Sequence, residues 1–305
     1  MKHTCGDRLF KWGCLFCAAM ALLLLFGFFA QLTAGSAEAW RRFGFGFLIS
    51  SDWDPVAGNF GALPAITGTL LTTAIALIAA LPLAFAAAMY LTDAPKPVAV
   101  LLGHAVDLLA AIPSVIYGMW GLFVLVPLMQ DHVQPFLVDR LGLGGLWFVN
   151  RDFNGFGIFT AGIILAVMIL PYICAVMRDV FVMTPPVLRE SAFGVGCTRW
   201  EVARDIVLGY GMKGVMGGVF IGLGRALGET MAVLFVIGNV MKMPDGIFSG
   251  STTIAATLAN NFPEADGLQK SALFALGLIL LFMSFGIQAL SQYCLRADAA
   301  RRGER

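Results

Sequence analysis

Arg225 and Glu229 most invite chemistry in this chain, because they stand four residues apart inside an otherwise apolar run, 215–237. On an α-helix that spacing puts a guanidinium and a carboxylate on one face. A lone Arg at a bilayer centre costs roughly 2.5 to 3.5 kcal/mol on insertion scales, so such a charge turns to a bundle interior and marks an ion path. Two readings follow. In one, the pair neutralises itself and pins the bundle. In the other, the guanidinium holds an oxyanion by two parallel hydrogen bonds. The carboxylate then accepts from a protonated oxygen and keeps the anion from binding too tightly for release. Both readings can hold at once.

Other chemistry finds little support. A phosphate-cradling P-loop needs Gly directly before its Lys, and none of the six lysines follows a Gly. Gly222-Leu223-Gly224 starts like a dinucleotide fingerprint, but Leu227 occupies the third glycine position and no strand precedes it. His3, His104 and His132 are too scattered for zinc. Cys14 and Cys17 form a C-x-x-C with no second pair or histidine nearby, so the six cysteines read as small apolar side chains. Asp107, one turn after His104, reads as a helix cap or the partner of a loop arginine. A membrane enzyme is unsupported, and with no basic patch neither is a nucleic-acid partner.

The elements that must position these residues are membrane helices. With 59% hydrophobic and 13% charged residues, the 305-residue chain lacks the polar residues for a soluble surface. Six stretches reach the ~20 residues that cross a bilayer: 13–32, 66–91, 98–129, 156–177, 215–237 and 271–295. In the third, Pro113 predicts an interfacial helix, a break, and then the true span. The organisation expected is an N-terminal segment 1–13, a first anchor helix 14–32, a core 65–295 with five spans, a loop 184–213, and a basic tail 296–305. Ala37-Glu38-Ala39 has the small residues of a cleavage site, but the preceding apolar stretch is longer than a signal peptide's, so an uncleaved anchor is expected. Of the 20 Lys and Arg, thirteen flank the spans on the side of the termini, six fall in the opposite loops, and the last is Arg225. By the positive-inside rule both termini are cytoplasmic.

Three further features bear on function. Gly214, Gly218, Gly222, Ala226 and Thr230 repeat every four residues, a stripe that lets helices approach closely, within this chain or against a partner. The outer loops 130–155 and 238–269 contain a short helix over 252–260, and Trp147 and Phe148 suit interfacial anchors. The 184–214 loop is polar. Pro185 and Pro186 open it, 187–193 can form an amphipathic helix before a turn at 194–196, and a second helix over 199–208 would stop at Gly209 and Gly211.

Glu190-Ser191-Ala192, then Gly196, then Ile206-Val207-Leu208 resembles the E-A-A loop of ABC-importer permeases, with Gly209 where the family usually has Pro. The run from Gly222 to Val233, with Ile112-Pro113-Ser114-Val115-Ile116-Tyr117-Gly118, resembles the phosphate-specific ABC importer permeases. Of their two homologous subunits the PstC type matches better, over roughly residues 65–295. The resemblance implies an all-α six-helix type I importer permease in a bacterial inner membrane. Its partners would be a sister permease of the PstA type in a heterodimer, two ATPase subunits and an external phosphate-binding protein. Phosphate is the cargo so implied, and ATP and Mg belong to the ATPase subunits, with no cofactor here. On this reading Arg225 and Glu229 line the path, Glu190, Ser191, Ala192 and Gly196 couple to the ATPase, and Gly214, Gly218 and Gly222 pack helices. The alternatives are a permease for another oxyanion, or a secondary anion transporter or channel without ATP.

Overall fold

A computed structural model describes residues 5–145, 148–151 and 153–301, so Trp147 lies outside the described residues. The principal helices are α1 (Cys5–Phe43), α2 (Leu63–Asp93), α3 (Lys96–Ala111), α4 (Ser114–Arg140), α5 (Ile158–Val182), α6 (Pro186–Gly194), α7 (Arg199–Leu227), α8 (Ile254–Asn261) and α9 (Gly267–Arg301). Six of them, α1, α2, α4, α5, α7 and α9, are long and apolar enough to cross a membrane. The remaining regular structure includes a two-residue antiparallel ladder, Trp53 opposite Phe60 and Asp54 opposite Asn59.

Residue size decides the arrangement. Along α2, Ala76, Ala80, Ala84 and Ala88 recur every four residues and are fully buried. Such a face lets a neighbouring backbone come close, which in lipid is the main attraction between helices. The neighbour is α5, the centre of the bundle, whose Ile164, Leu165, Ile169 and Ile173 are also fully buried. Against α5 lie α2, α3 and α7, while α1 pairs with α9.

The contact between α1 and α9 is clamped at one end. The Ser271 hydroxyl donates to the Gly35 carbonyl at 2.8 Å and accepts from the Ala39 N–H at 3.0 Å. Gly35 has no Cβ because the Phe274 ring occupies its place. At 1.5 Å per residue, α1 is about 58 Å long, nearly twice the hydrocarbon thickness. Stretch 13–32 is therefore only the middle of a helix that continues because Ala39, Phe47 and Phe60 build a second apolar core with Leu273 and Leu276.

The break at Pro113 is present. Ile112 is extended and α4 starts at Ser114, because Pro offers no N–H and drives the residue before it out of the helical region. Carbonyls freed at the end of α3 are taken by tyrosines: Tyr117 donates to Leu109 at 2.8 Å, and Tyr172 of α5 donates to Ala110. Beyond residue 129, where the third run was expected to end, α4 continues to Arg140. Its wide π-helical turns, such as Gly121–Leu125 and Met129–Val133, accommodate the N–H missing at Pro127 and Pro135.

Two expectations about α7 fail. Gly209 and Gly211 do not end a helix; α7 runs through both, because an interior Gly costs only about 1 kcal/mol and the close approach of Gly211 to Val180 requires the missing side chain. Nor does the span reach residue 237. It stops at Leu227 with Gly228 as its cap, followed by a single turn, Met231–Leu234, and an irregular stretch to Thr253. That stretch is needed elsewhere. The first N–H groups at α5, of Gly157, Ile158 and Phe159, donate to the carbonyls of Val236, Ser249 and Ile247. Non-helical backbone survives at such a place only when buried in protein, and Val236, Ile237, Phe248 and Ser251 are buried.

Candidate functional site

Arg225 lies in the last turn of α7, about 18 Å along the axis from Lys213. Its guanidinium carbon sits 4.1 Å from the centroid of the Tyr172 ring. A cation over an aromatic face is worth roughly 0.5 to 2 kcal/mol, which offsets part of the cost of burying the charge. Tyr172 is itself fixed through its hydroxyl on α3, so the break at Pro113 indirectly orients Arg225. The Nε of Arg225 is buried with no hydrogen-bond partner among the described residues.

Glu229 is elsewhere. Because α7 ends at Leu227, the two residues do not share one helical face, and among the described residues no ion pair joins them. The buried Glu229 carboxylate instead accepts from the Ala232 N–H at 3.1 Å, capping the turn Met231–Leu234. The self-neutralised pair is thus corrected to two residues with separate tasks.

Beside Arg225 a groove of about 220 Å³ is lined by Phe220, Ile221, Gly224, Arg225, Gln288 and Gln292. Gly224 lets α9 lean in: a Cβ there would stand 2.9 Å from Gln288 Nε2. The two glutamines were missed in the sequence, where the search followed charge. Their signal was a polar stripe in an apolar span, with Ser284, Gln288 and Gln292 four residues apart.

The glycine stripe meets α5 within this chain. Gly214, Gly218 and Gly222 abut Val180, Val176 and Ile173, and Ala226 is buried on the same side, whereas Thr230 lies past the end of the helix.

At the opposite end of α7, the loop folds as α6. Glu190 and Ser191 are exposed, Ala192 is buried, and Gly196 turns the chain at φ +92°, a backbone region that favours glycine. Thr198 and Glu201 form a reciprocal capping box that starts α7. Four apolar side chains, Val187, Leu188, Phe193 and Val195, are exposed on and just after α6. A patch of that kind marks an interaction surface. Sequence reading also missed what holds α6: Arg189 donates to the Phe181 carbonyl at 2.6 Å and pairs with Asp93 at 3.5 Å, fastening α6 to the ends of α5 and α2. Asp107 pairs with Arg178 at 3.9 Å. Of the two aromatic residues expected as anchors, Phe148 is exposed.

The family described as binding-protein-dependent transport system inner membrane component matches residues 80–296. A Pasteurella multocida protein named phosphate transport system permease protein PstC is 47% identical over 309 aligned positions, covering 100% of this chain and 96% of the relative. A Mesorhizobium japonicum protein of the same name is 50% identical, covering 94% and 89%. In Methanocaldococcus jannaschii a probable phosphate transport system permease protein PstC is 33% identical, covering 90% and 87%. Among solved structures, a chain from the crystal structure of a bacterial alginate ABC transporter, in complex with alginate pentasaccharide-bound periplasmic protein, superposes with TM-score 0.62 at 17% identity, covering 98% of both chains. The shared fold is that of an ABC transporter permease.

Proposed function

Because this chain belongs to the family of binding-protein-dependent transport system inner membrane components, we propose that it is the membrane subunit of an ATP-driven phosphate importer, forming half of the translocation path. The observation that carries the reading is Arg225: a guanidinium within the span, held by an aromatic face, with no anion beside it among the described residues. A phosphate dianion completes what the fold leaves open. Two parallel N–H donors match two phosphate oxygens, and stacking on Tyr172 fixes the plane in which they point.

The work is supplied from outside the chain. Two ATPase subunits, which hold ATP and Mg, dock on the apolar patch around α6, with Glu190, Ser191, Ala192 and Gly196 at the contact. Their closing and opening moves α6, and Arg189 passes that movement to α5 and α2. The groove then faces one side of the membrane or the other, and the free energy comes from the different contacts that the ATPase pair makes in its two states. A sister permease of the PstA type forms the other half, and an external phosphate-binding protein delivers the anion. The termini face the cytoplasm across a bacterial inner membrane, as the thirteen basic residues on their side favour.

The test is uptake of labelled phosphate by vesicles carrying the whole complex and its binding protein. Accumulation that requires ATP and resists excess sulphate is expected. Accumulation driven by an ion gradient without ATP would make the chain a secondary transporter, and equal competition by sulphate would make it a general oxyanion permease.

A further inference from the structure

We propose that Gln288 and Gln292 of α9 join Arg225 in one oxyanion-binding step on the inner half of the path; this rests on the phosphate-import reading above. Ser284, Gln288 and Gln292 fall on one face of α9 at helical spacing, and the last two line the same groove as Arg225. Gln288 also lines the neighbouring groove with Ser284, so the polar stripe is continuous along that wall. Both glutamines are exposed on this chain, and only where lipid rather than water covers them does an unpartnered amide cost on the order of 1 to 3 kcal/mol. Neither glutamine side chain hydrogen-bonds another group of the described chain, and neither does Arg225. One groove therefore gathers three donor-bearing side chains whose partners are not supplied by their own chain.

The chemistry fits a tetrahedral oxyanion. The groove of about 220 Å³ has room for the share of roughly seven waters, enough for a phosphate that keeps part of its hydration. The guanidinium supplies charge and two parallel donors; each amide adds donors without adding charge, so the anion is held but not trapped. An amide can also turn its carbonyl to accept from a P–OH group, the task that the sequence assigned to Glu229 before that carboxylate proved to be a helix cap. Gly224 leaves room for the amide, since a Cβ there would stand 2.9 Å from Gln288 Nε2. Depth agrees as well: Gln288 lies about 12 Å along α9 from the basic residue Arg296, and Arg225 about 18 Å from Lys213.

The experiment uses the whole complex in vesicles, with the six native cysteines of this chain replaced and a single cysteine placed by Ile221→Cys, which lines the groove without belonging to the proposed site. Inorganic phosphate is expected to slow maleimide labelling of that cysteine at least fivefold, with sulphate less effective. In parallel, Gln288→Leu and Gln292→Leu are expected to lower the maximal uptake rate about tenfold each while the complex still assembles and hydrolyses ATP, so that less phosphate moves per ATP. Gln288→Glu should lower it further, because it puts a negative charge where the anion sits. Labelling that ignores phosphate, or leucine variants that assemble and transport at the normal rate, would overturn the proposal. Labelling slowed by anionic lipid content but not by phosphate would overturn it too, assigning the groove to a headgroup. Vesicles that contain the unaltered complex and accumulate no phosphate, yet show protection by phosphate, would count against the import reading and leave this site standing.

Discussion

Arg189 and Arg225 are two arginines of the same bundle whose surroundings have been built to opposite ends. Arg189 spends its terminal nitrogens on its own protein, one on the Phe181 carbonyl and one on the Asp93 carboxylate, and the result is a joint between α6 and two spans. Arg225 is given a ring to lie on and, among the described residues, no acceptor. The Nε of both is buried without a partner among those residues, so the terminal nitrogens make the difference: an arginine whose terminal nitrogens are taken by its own chain holds helices together, and one whose terminal nitrogens are left open awaits something else. Glu229, first paired with Arg225, accepts from the Ala232 N–H instead and forms no ion pair with that arginine among the described residues.

The contrast breaks most sharply at Arg225→Gln, which is expected to cut phosphate uptake by about a hundredfold, the equivalent of roughly 2.7 kcal/mol, in a complex that assembles and still hydrolyses ATP. Normal uptake in that variant would move Arg225 to the structural class. Arg189→Gln should fail differently: uptake falls about tenfold because ATPase movements no longer reach α5, while phosphate still protects a cysteine at position 221. Loss of that protection would mean that α6 shapes the groove directly. Gly218→Leu tests the packing between α7 and α5, since a leucine there must displace Val176; overpacking of this kind costs about 1 to 3 kcal/mol, read as a lowered melting temperature of the purified complex. Smallest of all is Glu229→Gln. A glutamine oxygen can still accept from the Ala232 N–H, so uptake should stay within about twofold of normal, whereas a fall as large as that of Arg225→Gln would return Glu229 to the anion path.

Much of this architecture is legible without coordinates, because bilayer thickness and backbone hydrogen bonding leave few choices. Pro113 announced its break by chemistry that no neighbour can override. The end of α7 at Gly228 was not legible for the opposite reason. Locally, a single glycine in an apolar run is compatible with an unbroken helix; the chain leaves the helix there because carbonyls of residues 236, 247 and 249 are needed at the start of α5, some eighty residues earlier in the sequence. The (i, i+4) relation between Arg225 and Glu229 was sound arithmetic on a helix that stops between them. Gln288 and Gln292 were overlooked because uncharged amides hardly disturb an apolar stretch, although in lipid an unpaired amide asks for a reason much as a charge does.

The serine clamp between α1 and α9 has a mechanical consequence. Ser271 ties α1 at Gly35 and Ala39, near its far end, while the side chains of its most apolar window are exposed along their length. A post moored at one end leaves the floor beneath it free to shift. When the half of the bundle that carries α6 rearranges, scarcely any apolar contact with α1 in this chain has to be surrendered, and acyl chains that leave its surface are replaced by others of the same kind. Under the import reading proposed above, the first helix holds that end of the bundle in register through each cycle without adding to the barrier that the cycle must cross.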